Sequence, residues 1–322
     1  MMKGALMLKL YLSVILAATA LAQTPSPALL VLNKGDNALA IVDPSNGKVV
    51  GTVPVGRNPH ELTVSSDGRL AFSSNMQGDS ISVIDLASQK ELNRVELPNL
   101  RTPHGLYFAE GKLYFTAQGD HAIARYDPVA NKVDWTRDSG QNGTHMLVAT
   151  RDLSRIFTSN MNSDSIGMFL ASAAYKPTII PVGKGPEALA LSPDEKQVWT
   201  ATYGDSHVAV IDVAAGAVIE TVHVPMQRAN RLQFTPDGKR VLISDSGNGD
   251  LVVLDVASRK EIKRLKVGGN CEGILMVPDG SRAYVASEQD NFVAVVDLKK
   301  LAIGARIRPG NGPDGMAWAV RK

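Results

Sequence analysis

Hydrophobic and polar residues alternate along this chain in short blocks that return at a fixed spacing. In residues 60–98, HELTV is followed by the turn SSDG, LAFSSN by MQGD, and SISVID by LASQ and KELNRVEL. Short runs rich in Val, Ile and Thr, divided by Gly, Pro, Asp and Asn, predict strands rather than helices. A run ending in aspartate recurs at Asp43, Asp85, Asp127, Asp212, Asp255 and Asp297, and Leu170 fills the remaining place. Each step is 42 or 43 residues. Seven copies of a four-strand unit predict an all-β fold, a seven-bladed β-propeller with four antiparallel strands per blade. The run ALLVLN (28–33) aligns with the second strand of a unit and DGMAWAV (314–320) with the first. The C-terminal strand therefore closes the first blade, leaving a single domain over 28–322. The repeated aspartates read as structural, bonding the turn into the outermost strand.

The first residues depart from this pattern. Lys3 and Lys9 precede an uncharged apolar stretch from Leu10 to Leu21, and Ala20-Leu21-Ala22 ends it. This predicts a signal peptide over 1–22, cut after Ala22. A disordered lead over 23–27 (QTPSP), a periplasmic or secreted location and no membrane anchor after processing follow. The chain holds 34 basic and 32 acidic side chains and only 5% aromatic residues. Without a basic block or aromatic platforms, a nucleic-acid partner is not indicated. The single cysteine, Cys271, excludes an internal disulfide. It reads either as a buried inert thiol or as a soft metal ligand. No P-loop, dinucleotide fingerprint, HExxH, GxSxG or CxxC motif occurs.

FTSN (157–160), YVAS (284–287) and the G-x-x-P…SPDG framework resemble the YVTN repeat. Across all seven units the chain resembles the YVTN or YncE-like seven-bladed propellers. The repeat class is also similar to the propellers of nitrous oxide reductase and of lactonases of the 6-phosphogluconolactonase type. The resemblance implies the closed-ring fold and three activities: a periplasmic binding or interaction scaffold, a lactonase-like hydrolase or a lyase. Some related propellers also bind haem or d1-haem, which here would use one ring histidine.

The first residue of each innermost strand should line one mouth of the channel. Around the ring these are Asp314, His60, His104, His145, Glu187, Asn230 and Glu272. Three of the six histidines thus fall in register on adjacent blades. Imidazole is a common ligand for transition metals. We therefore expect His60, His104 and His145 to bind a divalent transition metal (copper, zinc, iron or manganese), with Glu187 or Asp314 as a fourth ligand. A small molecule would bind beside it, and Glu187 or Glu272 would move a proton. Arg57, Arg101, Asn75, Asn160, Tyr203, Arg228 and Asn230 are the expected ligand contacts at the same mouth. A protein partner is left open. The next residues along these strands are Glu61, Gly105, Met146, Ala188, Arg231, Gly273 and Gly315, mostly small, as expected where strands crowd an axis.

Overall fold

A computed structural model describes residues 23–171 and 176–322. The predicted signal peptide lies outside the described residues. The strands form seven four-stranded antiparallel sheets, in chain order within each blade except the first. There the C-terminal strand Pro313–Ala319 pairs with Ala28–Asn33, with Ala28 opposite Ala319 and Leu30 opposite Ala317. The ring closes through this pairing, which joins the two ends of the chain in one blade. Among the described residues no helix is long and apolar enough to cross a membrane.

Core packing follows from strand alternation. The second and third strands are buried on both faces, as in LAFSSN and SISVID, because each blade is sandwiched between two others. The outermost strands alternate with one face exposed, as Lys90–Glu96 does. The aspartates that end the third strands cap the following turn. Asp43 accepts from Ser45 N (2.9 Å), Asp85 from Ser88 N (2.6 Å) and Asp297 from Lys299 N (2.9 Å). A second set of aspartates ties neighbouring loops together at the mouth. Asp79 accepts from Thr102 N (2.7 Å), Asp164 from Gly185 N (2.9 Å) and Asp290 from Gly269 N (2.7 Å).

One feature of the innermost strands shapes the site. In every blade the pairing of the innermost with the second strand slips near the mouth, between Pro59 and Leu62, Pro103 and Leu106, Thr144 and Leu147, and equivalent positions. Such a bulge frees its residues from the ladder and re-aims their side chains. Hydroxyls of the second strand satisfy the amides released: Glu61 N donates to Ser74 Oγ (3.1 Å), Gly105 N to Thr116 Oγ1 (2.9 Å) and Arg231 N to Ser244 Oγ (2.9 Å). Neighbouring backbones then meet so closely that a Cβ on Gly273 would lie 2.2 Å from Asp314 O. One on Gly315 would lie 2.1 Å from His60 O. The expected small residues at the axis are therefore required by backbone contact.

The lead expected to be disordered is docked from Thr24 onward, because its polar atoms find partners in two blades. Thr24 is buried and donates to Leu86 O (2.5 Å), while Gln89 Nε2 donates to Thr24 Oγ1 (3.0 Å). Arg321 bonds Thr24 O (2.7 Å) through its guanidinium and Ser26 Oγ (3.0 Å) through its amide. The segment thus bridges the closing blade and its neighbour.

Candidate functional site

The bulges bring the seven predicted first residues to one mouth, where His60 is half-buried and His104, His145, Glu187, Asn230, Glu272 and Asp314 are buried. The rings of His60 and His104 lie 5.3 Å apart at 55°. Those of His104 and His145 lie 3.7 Å apart, tilted at 33°. Nδ1 of His104 and Nδ1 of His145 have no hydrogen-bond partner. His60 Nδ1 stands 3.3 Å from Asn58 O. A carbonyl only accepts, so this contact places the proton on Nδ1 and leaves Nε2 as an acceptor. Burial pushes all three imidazoles below the ordinary 6.5, His104 and His145 well below it. Lys34 and Arg231 add to the effect on His60, which Asp314 opposes. The histidines are therefore neutral at neutral pH.

The carboxylates differ among themselves. Glu187 accepts from Asn230 Nδ2 (2.8 Å) and Arg228 Nη2 (3.1 Å), and Arg231 Nη1 stands 4.0 Å away. Burial still raises it above the ordinary 4.5 despite Arg231 and Arg228. Asp314 is lowered: burial works against its charge, but Lys34, 3.2 Å away, and Arg231 outweigh it. Neither Asp314 oxygen has a hydrogen-bond partner of good alignment. Lys34 also reaches Glu288 at 2.9 Å. Glu272 is pushed up from 4.5 to about 8 by burial and then by Asp314, against the pull of Lys34 and Arg231. It is thus largely a neutral carboxylic acid at pH 7, next along the ring to a charged Asp314.

Several expected contacts turn out otherwise. Asn75 is enclosed in its own blade, bonded to Ser80 Oγ (3.2 Å), Ser82 Oγ (3.0 Å) and Ser73 Oγ (3.2 Å), and Asn160 is similarly bonded to Ser165 and Thr158. Their side chains fall on the buried side of the strand end and do not reach the mouth. Arg101 is turned outward into a forked pair with Asp120 (Nη2–Oδ1 2.5 Å), and Arg57 bonds Gln77 O (2.7 Å) on the rim. Arg228 lies over the Tyr203 ring at 5.2 Å while holding Glu187, so these two remain at the mouth with Asn230. Cys271 is fully buried in an apolar cluster, and burial holds its thiol protonated.

Among the described residues no three His, Cys, Asp or Glu side chains stand where they could hold one metal ion. The rings of His104 and His145 lie tilted against each other at 3.7 Å. The guanidinium of Arg231 and the ammonium of Lys34 already face the mouth carboxylates. As arranged, the three expected histidines are not grouped as the ligands of one ion.

Three residues without an expected role prove central. Arg231 crosses the channel to bond Glu61, with side chains 8% and 15% exposed, and also donates to Asn230 Oδ1 (3.1 Å). Their signal was legible: they are the two charged residues, of opposite sign, among otherwise small or apolar second positions. Lys34, at the end of the first described strand, is the third.

The comparisons agree with this fold. The family model described as "Lactonase, 7-bladed beta-propeller" matches residues 174–307. Antigen Lp49 of Leptospira interrogans is 26% identical over 164 residues, a match spanning 48% of this chain and 35% of that protein. The chain thus aligns with about a third of this curated relative. A putative 6-phosphogluconolactonase from Bacteroides fragilis superposes with TM-score 0.74 at 16% identity, covering 92% of this chain and 99% of that one. Hydrazine synthase of Kuenenia stuttgartiensis superposes with TM-score 0.70 at 20% identity, covering 82% and 92%. The dihydro-heme d1 dehydrogenase NirN, in complex with DHE, superposes with TM-score 0.64 at 13% identity, covering 90% and 74%. At these identities the superpositions speak for the fold alone.

Proposed function

We propose that the histidine mouth binds a small polar molecule and that the reaction it suits is ring-opening hydrolysis of a lactone. The observation that carries this reading is the presence at one mouth of a neutral imidazole with a free Nε2, His60, and a protonated carboxylic acid, Glu272, on the two blades flanking Asp314. Groups whose environments push their proton affinities apart suit acid–base work. His60 Nε2 takes a proton from water as its oxygen attacks the lactone carbonyl. Lys34 stabilises the negative charge that develops on the carbonyl oxygen. The ring C–O bond then breaks, and Glu272 gives its proton to the departing ring oxygen. The proton on His60 returns to Glu272 through water, so lactone and water become one hydroxy acid. Arg228, half-exposed over Tyr203, offers a contact for an anionic substituent.

The match of the lactonase family model to 174–307 supports this reading, since that span includes Glu187, Asn230, Arg231 and Glu272. The N-terminal pattern of residues 1–22 supports action outside the cytoplasm. The test is a pH-stat screen of five- and six-membered lactones of sugar acids. The mature protein should release acid faster than buffer on at least one of them, and the His60→Gln variant should return to the buffer rate. Equal rates in protein and buffer across the series would refute the reading.

A transition metal is the second reading, favoured by the partnerless Nδ1 atoms of His104 and His145. It requires the His104 and His145 rings to turn towards a common point with His60. Titration calorimetry with zinc alone tests it: one equivalent bound, and lost in the His60→Ala/His104→Ala/His145→Ala variant, would support it; no heat would end it.

A further inference from the structure

Below the mouth the channel continues as a separate chamber. It has a volume of about 490 Å³ and opens at the opposite face of the ring. Its walls include Leu106, Met146, Val148, Leu191, Met276 and Met316, and none of the three histidines lines it. Its inner end is the Glu61–Arg231 pair. The pair uses Glu61 Oε1 and the two terminal nitrogens of Arg231. Glu61 Oε2 and Arg231 Nε take part in none of these bonds. The tunnel, lined also by Tyr107, Arg151, Glu195 and Gln233, thus combines apolar and polar wall and ends on a charge pair that is neutral as a whole.

We propose that this chamber is a second small-molecule site, distinct from the histidine mouth, for an apolar chain carrying an uncharged head that both donates and accepts a hydrogen bond, such as a primary amide. The volume falls within the range of small-molecule sites, and the leucine, valine and methionine side chains of the wall offer an apolar chain its contacts beside the polar groups. The neutrality of the floor selects the head. A carboxylate would face Glu61 and an ammonium would face Arg231, each leaving one buried charge opposed by its like. An amide N–H donates to Glu61 Oε2 while its carbonyl accepts from Arg231 Nε, and neither charge loses its partner.

The methionines of the wall report occupancy directly. With 13C-methyl methionine in the full mature chain, octanamide should produce saturable shifts at Met146, Met276 and Met316. Met76 and Met161, on the mouth side, should stay unmoved. Octanoate and octyltrimethylammonium should bind at least about tenfold more weakly, the cost of one unpaired hydrogen bond to a charge. Val148→Trp, which fills the chamber from a partly exposed position, should abolish the shifts, and Leu106→Trp provides a second filling variant if the first fails to fold. No saturation up to the solubility of octanamide, shifts at Met76 or Met161 in place of the wall, or equal affinity for all three heads would overturn the proposal. None of these outcomes depends on lactone hydrolysis at the other mouth.

Discussion

Replacing Glu272 by Gln should stabilise the protein at alkaline pH and leave it unchanged in acid. The side chain is 8% exposed and its proton affinity is raised from 4.5 to about 8, first by burial and then by Asp314. A group that binds its proton more tightly folded than unfolded contributes stability that is complete below the unfolded value and is lost as pH rises through the folded one. The window is therefore about pH 4.5 to 8. A shift of this size corresponds to about 5 kcal/mol as an upper bound, and water reaching the mouth reduces it to roughly 2–4 kcal/mol. Glutamine keeps the shape and cannot ionise, so Glu272→Gln avoids the loss. Urea unfolding of both proteins at about pH 5 and about pH 9 measures this, with the midpoint gap opening only at the higher pH. A gap of equal size at both pH values, or one that favours the wild type in alkali, would show that Glu272 is ionised in the folded mouth and refute the electrostatic reading.

Other consequences are independent of this one. Gly315→Ala places a Cβ 2.1 Å from His60 O and should cost about 3 kcal/mol or more, because backbone of the next blade must move. Gly304→Ala, whose nearest neighbour would be Val295 O at 3.5 Å, should be neutral or gain up to about 0.5 kcal/mol; thermal melts of the two variants compare them directly. Thr24→Val removes the hydroxyl shared by Leu86 O and Gln89 Nε2 and should lower stability by about 1–2 kcal/mol. Urea unfolding would show no change if the docked lead contributes nothing to ring closure.

The blade pattern was readable because its cause is local: period-two burial, turn residues and one aspartate per third strand repeat with each unit. The closing strand was readable for the same reason, since ALLVLN and DGMAWAV each match one strand of the repeat. Register also identified the mouth residues, because an equivalent bulge recurs in every innermost strand. What register could not give is side-chain direction across the axis. Asn75 and Asn160 occupy the mouth end of their second strands, yet serine and threonine neighbours in their own blades hold their side chains. Whether three histidines on adjacent blades converge on one point depends on ring radius and rotamer, and here both neighbouring ring pairs are tilted, at 55° and 33°. Glu61–Arg231 joins residues 170 positions apart across the channel, a contact that no repeat-by-repeat comparison displays. The docking of Thr24 was hidden because QTPSP has the composition of a linker, and its partners Leu86, Gln89 and Arg321 are remote in sequence.

If His60 as base and Glu272 as acid act together at one mouth, the rate must follow the protonation of both. The most direct measurement is the pH dependence of kcat/KM for a hydrolysed lactone, in the wild type and in Glu272→Gln. The account predicts a bell for the wild type, rising through a value below 6.5 as His60 loses its proton and falling through about 8 as Glu272 loses its own. In Glu272→Gln the rate should drop by about a hundredfold or more and the alkaline limb should vanish. An alkaline limb that persists unchanged in that variant would contradict the account.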